Sequence, residues 1–190
     1  ALEDACHHRG PAGARRDHRW AEDGGVCGQG LSCRLVVDRD DSIYAVIVIS
    51  VVLDANVLVA AVRSGGGAAR QIVRGCLIGA YEPLFGPVLL AEYEYAILSS
   101  RISANLASER ERRELLAALV SVGRWVNVYC LWRPNLHHGV DNPLVEMAVS
   151  GGATAIVTYN VRDLATGELL FPSVRVLRPT ALLRDYPCLP

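Results

Sequence analysis

The feature that most limits the fold of this chain is an apolar run that ends abruptly on an acid. Residues 46–53 (VIVISVVL) are rich in Val and Ile, are broken only by Ser50, and lead directly into Asp54. A strand buried on both faces of a parallel sheet has this pattern, because helices cover both of its faces. The run is roughly half as long as a membrane span requires. We therefore expect a central strand here and no membrane partner.

Strand and helix patterns alternate after this run. We predict further strands at residues 82–85, 126–131, 155–158 and 174–177. We predict helices at residues 68–78, 87–98, 108–122, 143–150 and 179–185. Ser108 and Glu111 have the spacing of a capping box, which marks the start of one of these helices. The alternation predicts an α/β fold, a three-layer α/β/α sandwich with a mostly parallel central sheet.

The first part of the chain differs from the rest. Residues 1–43 are rich in Arg, Asp, His and Gly and show no sustained helical or strand period. Such a segment buries too little apolar surface to offset its ordering entropy. We predict a disordered or non-native N-terminal extension over residues 1–43 and one folded domain over residues 44–190, with the functional protein starting near Ile47. A short strand pair between residues 35–38 and the run from Tyr44 is the alternative.

The composition excludes several classes of chemistry. All 19 basic residues are Arg, because the chain contains no Lys. A P-loop, a Schiff-base lysine, a kinase-type lysine and an SxxK nucleophile are therefore excluded. The formal net charge of −1 argues against extensive coating by nucleic acid but permits a local arginine patch. The six cysteines are too sparse for a disulfide scaffold, and we expect them to be reduced in a cytoplasmic protein.

Four acidic residues are predicted to meet at one edge of the sheet. Asp54 ends the first central strand, and Asp163 follows a later one. Glu92 lies in the helix after the second strand, with Glu94 as the competing residue, and Asp141 is the predicted N-cap of another helix. Open α/β sheets place their sites at the carboxyl ends of the strands.

Carboxylates gathered at one place require a cation between them, because like charges repel at short range. Hard oxygen ligands without a convincing His or Cys favour Mg²⁺ or Mn²⁺ over zinc. Carboxylate-held Mg²⁺ keeps several waters and completes its shell with phosphate oxygens, which points to phosphoryl or phosphodiester chemistry.

Three segments carry a resemblance to a known family. They are VVLDANVLVAAV around Asp54, LLAEYEYAIL around Glu92, and DNPLVEMAVSGGATAIVTYNVRDL from Asp141 to Leu164. In this order and spacing they resemble the PIN-domain family, and within it the toxins of toxin–antitoxin pairs. The resemblance covers residues 49–185 and implies a metal-dependent endoribonuclease with RNA as its substrate and a cognate antitoxin protein as its partner. We also expect a homodimer.

The resemblance also implies roles for individual residues. Asp54, Glu92 and Asp141 match the first three carboxylates of the family. Asn160 occupies the position at which many members have Asp in a TGD-like turn, and Asp163 is expected to supply that charge. The expected mechanism is metal-assisted hydrolysis by these acids. The alternative, favoured by Asn160, is a catalytically weak PIN-like module that binds RNA or a protein partner.

Other residues are expected to support the site. Asn56 and Thr158 lie at strand ends beside the acids, where they either position water or phosphate or serve only as turn and strand formers. Glu146, five residues after Asp141, either joins the metal site or faces solvent. The arginines expected to contact the RNA backbone are Arg63, Arg70, Arg74 and Arg162.

Aromatic residues near the strand predicted at 126–131 are candidates for core packing or for contacts with a partner. Trp125, Tyr129 and Trp132 are predicted to pack in the core or at a dimer interface. Base stacking is the alternative, since aromatic faces accept any base.

Overall fold

The structure is a computed structural model that describes part of the chain. The described residues are 26–27, 31–37, 43–98, 107–129, 142–164 and 172–187, with side chains described from residue 48 onward. The strands are β1 (Val26–Cys27), β2 (Leu31–Val37), β3 (Ile43–Leu53), β4 (Tyr81–Phe85), β5 (Arg124–Trp125), β6 (Ala155–Val157) and β7 (Arg175–Leu177). The helices are α1 (Ala55–Arg63), α2 (Ala68–Leu77), α3 (Pro87–Leu98), α4 (Glu109–Val122), α5 (Asn142–Gly151), α6 (Val161–Leu164) and α7 (Pro179–Asp185).

Five parallel strands form the central sheet in the order β5, β4, β3, β6, β7. The middle strand is β3, which pairs with β4 up to Val51 and Pro83 and with β6 up to Leu53 and Val157. Residues 51–53 are at most 1% exposed, as expected for a strand covered by helices on both faces. The predicted α/β/α sandwich with a mostly parallel sheet is confirmed.

The first half of β3 has different partners. It pairs antiparallel with β2, from Ser32 opposite Val48 to Val37 opposite Ile43, and β2 in turn pairs with β1. The alternative strand pair with the run from Tyr44 is thereby confirmed for residues 35–37, and Asp38 lies outside the described residues. The domain boundary near residue 43 stays a prediction.

The predicted helices with strong local signals are confirmed. At the start of α4, Ser108 Oγ accepts a hydrogen bond from Glu111 N at 3.3 Å, and Glu111 Oε2 accepts one from Ser108 N at 2.7 Å. This is the reciprocal pair of a capping box. At the end of α5, Gly152 adopts a φ of +62°, a conformation that favours glycine and ends a helix. Among the described residues, no helix is long and apolar enough to span a membrane.

One predicted strand is wrong, and two helices were not predicted. The strand expected at residues 126–131 is β5 at Arg124–Trp125, residues 126–129 are not in a strand, and residues 130–131 lie outside the described residues. Pairing with β4 sets the position, since Leu84 lies opposite Arg124 and the chain leaves the sheet after Val126 N donates to Phe85 O at 2.7 Å. The two helices of the described residues that were not predicted are α1 and α6.

A charged cluster ties the strands to α5 at the end of the sheet away from Asp54. Glu82 Oε2 accepts hydrogen bonds from Ser50 Oγ at 2.9 Å and from Arg124 Nε at 3.0 Å. Arg124 Nη2 also donates to the carbonyl oxygen of Gly151 at 2.7 Å. Since Glu82 and Ser50 are buried, these bonds offset the cost of taking the charge out of water. The C-terminal end of α5 is thereby held against three strands.

The close approach of α4 to the sheet predicts a strong effect of Gly123→Ala. A Cβ at this position would lie 2.1 Å from Phe85 Cε2 and 2.7 Å from the carbonyl oxygen of Pro83. We expect Gly123→Ala to lower the free energy of unfolding by about 1–3 kcal/mol, since the core must shift. Gly66→Ala is the matched control, because nothing lies within 4 Å of its Cβ. Denaturant unfolding measures both variants, and equal stabilities would contradict the packing.

Candidate functional site

Asp54 lies where β3 ends and α1 begins. Its backbone N–H donates to the carbonyl oxygen of Val157 at 2.9 Å, which continues the pairing of β3 with β6. Its side chain is the N-cap of α1, with Oδ1 accepting from Asn56 N at 3.0 Å. The residue is 8% exposed. A single acid therefore ends the central strand, begins the next helix and stays within reach of solvent.

The side chains of Asn56 and Thr158 hold the Asp54 carboxylate. Oδ2 of Asp54 accepts from Asn56 Nδ2 at 2.6 Å and from Thr158 Oγ1 at 2.5 Å. Thr158 Oγ1 in turn lies 3.2 Å from Asn56 Nδ2 and accepts from Asn160 N at 2.9 Å. Tyr159 N donates to Asn56 Oδ1 at 3.3 Å. Asn56 and Thr158 thus contact the acid directly, beyond any contribution to the turn or strand.

The two carboxylate oxygens of Asp54 differ in how many further hydrogen bonds or metal contacts they can accept. Each carboxylate oxygen has about two acceptor sites. Among the described residues, Oδ2 accepts two hydrogen bonds, whereas Oδ1 accepts one, from Asn56 N. Oδ1 therefore retains an acceptor direction for a cation or a water molecule. A hard oxygen donor of this kind suits Mg²⁺ or Mn²⁺.

Tyr93 follows Glu92 on α3, and its hydroxyl reaches the end of β3 beside Asp54. Its hydroxyl, fully buried on α3, donates a hydrogen bond to the carbonyl oxygen of Leu53. Burial raises the pKa of Tyr93 well above 10.0, and the negative charges of Asp54 and Glu92 raise it further. The hydroxyl therefore lies at the end of β3, at the residue before Asp54, and Glu92 is the residue before Tyr93 on α3. Glu92 is partly buried, whereas its competitor Glu94 is exposed.

Glu146 is inside the protein. It is 2% exposed on α5, so of the two alternatives the one in which it faces solvent is wrong, and its part in a metal site stays a prediction. It lines a groove of about 440 Å³ together with Pro87, Met147 and Tyr129. This groove lies where the chain leaves β4 and β5, at the carboxyl ends of those strands, which is the edge that also carries Asp54.

The remaining predicted acids are placed differently. Asp163 is partly exposed on α6, and its backbone N–H donates to the carbonyl oxygen of Asn160 at 3.2 Å. The side chain of Asn160 is exposed. Asp141, which directly precedes α5, lies outside the described residues. In the described part of the chain, no three His, Cys, Asp or Glu side chains are grouped to hold a metal ion.

Three of the four predicted RNA-binding arginines lie away from Asp54. Arg63 is the last of the nine residues of α1, the helix that Asp54 caps, so about 13 Å of helix separates them. Arg70 Nη1 donates a hydrogen bond to the carbonyl oxygen of Ala61 at 3.5 Å, near the same end of α1. Arg74 lies one turn after Arg70 on α2. Arg162 is exposed on α6 beside Asp163, close to the acidic edge.

The sequence did not indicate that Tyr93 belongs to the site or that Tyr159 contacts Asn56. The signal for Tyr93 is its position next to Glu92 in the most apolar of the helix patterns, since a buried tyrosine hydroxyl needs a hydrogen-bond partner. Tyr159 is 41% exposed beside Asn56, and nothing in its sequence context indicates that contact.

The match to a family model agrees with this fold. A family model described as PIN domain matches residues 50–162, more than half of the chain. The chain therefore belongs to the PIN-domain family. No curated protein matches it. Among solved structures, it is similar to the crystal structure of VapBC2 from Rickettsia felis bound to a DNA fragment from their promoter, with 12% identity, a TM-score of 0.46, and coverage of 68% of this chain and 98% of that chain.

The raised pKa of Tyr93 predicts a loss of stability at alkaline pH. The unfolded chain releases the phenol proton near pH 10.0, before the folded protein does. The contribution of Tyr93 is therefore complete below pH 10 and is lost as the pH rises, at up to about 1.4 kcal/mol per pH unit. Since the chain contains no Lys, no ammonium side chain titrates in this range.

The measurement is denaturant unfolding of the wild type and of Tyr93→Phe between about pH 9.5 and pH 11.5. We expect the free energy of unfolding of the variant to fall less steeply with pH. Identical slopes for the two proteins would show that the Tyr93 phenol is not protected by the fold.

Proposed function

We propose that this protein is a Mg²⁺- or Mn²⁺-dependent endoribonuclease that hydrolyses RNA phosphodiester bonds and acts as the toxin of a toxin–antitoxin pair. The observation that carries the proposal is the Asp54 carboxylate, held by Asn56 and Thr158 at the carboxyl edge of the sheet with an acceptor direction left on Oδ1. PIN domains are in general nucleases, which supports the class of reaction.

The oxygen donors at this edge have the chemistry of a hard divalent cation site, although the described residues alone group no three of them. The described carboxylates at the carboxyl ends of the strands or on the helices that follow them are Asp54, Glu92, Glu146 and Asp163, and such oxygen donors suit Mg²⁺ or Mn²⁺. We propose Asp54, Glu92, Asp141 and Asp163 as the residues that hold the ion. A bound divalent cation supplies Lewis-acid activation of water and of the phosphate group.

The residues of this chain orient the reacting groups. Asn56 Nδ2 and Thr158 Oγ1 both donate to Asp54 Oδ2, so the carboxylate cannot rotate and Oδ1 keeps its direction. Arg162, exposed next to Asp163, offers a positive charge to a phosphate of the RNA backbone. The groove beside Glu146, about 440 Å³ in volume, falls in the size range of small-ligand sites and has room for a nucleotide.

Three exposed aromatic side chains are candidates for contacts with protein partners. Tyr95, Trp125 and Tyr129 are 76%, 50% and 87% exposed, so Trp125 and Tyr129 do not pack in the core, and their packing at a dimer interface stays a prediction. Trp132 lies outside the described residues. Exposed aromatic groups of this kind occur at interaction surfaces. We propose a cognate antitoxin and a second copy of this chain as partners, in the cytoplasm.

A catalytically weak PIN-like module that binds RNA or a protein is the second function. The neutral, exposed Asn160 supports it, since the family pattern places an acid there. Cleavage and binding measured on the same RNA distinguish this function from the first.

The direct test is RNA cleavage by Asp54→Asn with Mn²⁺ or with EDTA. We expect the variant to lose about 100-fold or more in rate, because it removes a proposed ligand, and loss of a group that only orients a ligand already costs about 10- to 100-fold. The fold is preserved, since Asn is an equally good N-cap. Wild type in EDTA should be inactive.

Asp185→Asn is the matched control. Asp185 ends α7 and pairs with Arg175 and Arg184. The carbonyl oxygen of the next residue, Tyr186, accepts a hydrogen bond from the hydroxyl of Tyr81 at the beginning of β4. Asp185 therefore lies near the amino ends of the strands, away from Asp54. Cleavage that persists in EDTA, or equal loss of activity in both variants, would contradict the proposal, whereas RNA binding without cleavage by the wild type would favour the binding module.

A further inference from the structure

The hydroxyl of Tyr93 connects the two elements that carry Asp54 and Glu92. Tyr93 is 0% exposed and follows Glu92 directly on α3. Its hydroxyl donates to the carbonyl oxygen of Leu53, the residue before Asp54. Its ring meets Phe85, the last residue of β4, edge to face with centroids 5.9 Å apart. One side chain therefore contacts the carboxyl ends of both strands.

The peptide group between Leu53 and Asp54 is held from two sides. The last paired residues of β3 and β4 are Val51 and Pro83, so the Leu53 carbonyl lies beyond that pairing. The Tyr93 hydroxyl donates a hydrogen bond to this carbonyl oxygen instead. On the other side, Asp54 N donates to the carbonyl oxygen of Val157 on β6. With both groups of this peptide bonded, the backbone from which the Asp54 side chain projects has little freedom to move.

The hydroxyl has a role that the ring alone does not explain. A phenylalanine would keep the edge-to-face contact with Phe85 and fill nearly the same volume. The hydroxyl instead binds, at a fully buried position, the carbonyl oxygen of the residue before Asp54, and it does so from the residue that follows Glu92. Two carboxylates near each other repel, and in the absence of a cation they separate unless the backbone that carries them is restrained.

We propose that Tyr93 is a positioning residue that sets the separation of the Asp54 and Glu92 carboxylates and thereby the affinity of the site for a divalent cation. The proposal rests on the proposed function in one respect, that this edge of the sheet binds the ion. Tyr93 restrains β3 through the Leu53 carbonyl and restrains α3 through its own backbone, next to Glu92. Loss of its hydroxyl frees the two acids to move apart before the ion binds.

The test is Mn²⁺ binding to the metal-free full chain, measured by isothermal titration calorimetry. We expect Tyr93→Phe to weaken Mn²⁺ binding by about 10-fold or more, the effect of removing a group that orients a ligand. RNA cleavage by the same variant should require proportionally more Mn²⁺ for half-maximal rate while keeping most of its rate at saturating Mn²⁺.

Tyr81→Phe is the matched control. Tyr81 is also buried, at 2% exposure, and its hydroxyl also donates to a backbone carbonyl, that of Tyr186, at 2.5 Å. It lies at the opposite end of β4. Both variants should lower the melting temperature to a similar extent, and only Tyr93→Phe should weaken Mn²⁺ binding. Phe85→Leu, which removes the ring contact and leaves the hydroxyl, should lower stability without changing Mn²⁺ affinity.

Each result decides the proposal. Unchanged Mn²⁺ affinity in Tyr93→Phe, or equal weakening in Tyr81→Phe, overturns it and leaves the proposed function intact. Mn²⁺ binding by the wild type that Asp54→Asn does not weaken overturns the metal site itself, and with it both proposals. If Tyr93→Phe does not fold, incorporation of 4-aminophenylalanine at position 93 restores a donor, and Mn²⁺ affinity should return to near the wild-type value. A folded protein that still binds weakly would overturn the positioning role.

Discussion

The burial of one charge, the Asp54 carboxylate, governs the geometry of the site. A carboxylate that is 8% exposed costs several kcal/mol unless hydrogen bonds compensate for the lost water. Asn56 supplies two donors and Thr158 a third, and the N-terminus of α1 adds a favourable dipole. Because these donors come from α1 and from the end of β6, satisfying this single acid joins the central strand to two other elements.

A second polar cluster stabilises the opposite end of the sheet. Glu82, Ser50 and Arg124 connect three strands, and Arg124 also holds the C-terminal carbonyl of α5. Helix α5 carries Glu146 toward the groove, so this remote ion pair restrains a helix that contributes to the site. Between the two clusters lies the apolar centre of β3. The molecule thus separates its structural charges from those available to a ligand.

The elements that sequence reasoning predicted well are those with local signals. Helix α4 begins at a capping box formed by Ser108 and Glu111, and α3 begins at Pro87. The two-residue strand β5 was misplaced because its position depends on pairing with β4 and on no pattern of its own. For Glu146 the sequence permits two environments, metal site or solvent, since helical spacing does not show which face of α5 is covered.

The amino-acid sequence by itself determined the layered α/β fold and the presence of acids at the ends of strands, because hydrophobic period and strand-end polarity are local properties. Only the tertiary structure decided which side chains meet. Asn56 contacts Thr158 across 102 positions, and Tyr93 contacts Leu53 across 40. Such contacts depend on the order and register of parallel strands and on how α3 packs against them, and no sequence window contains both partners.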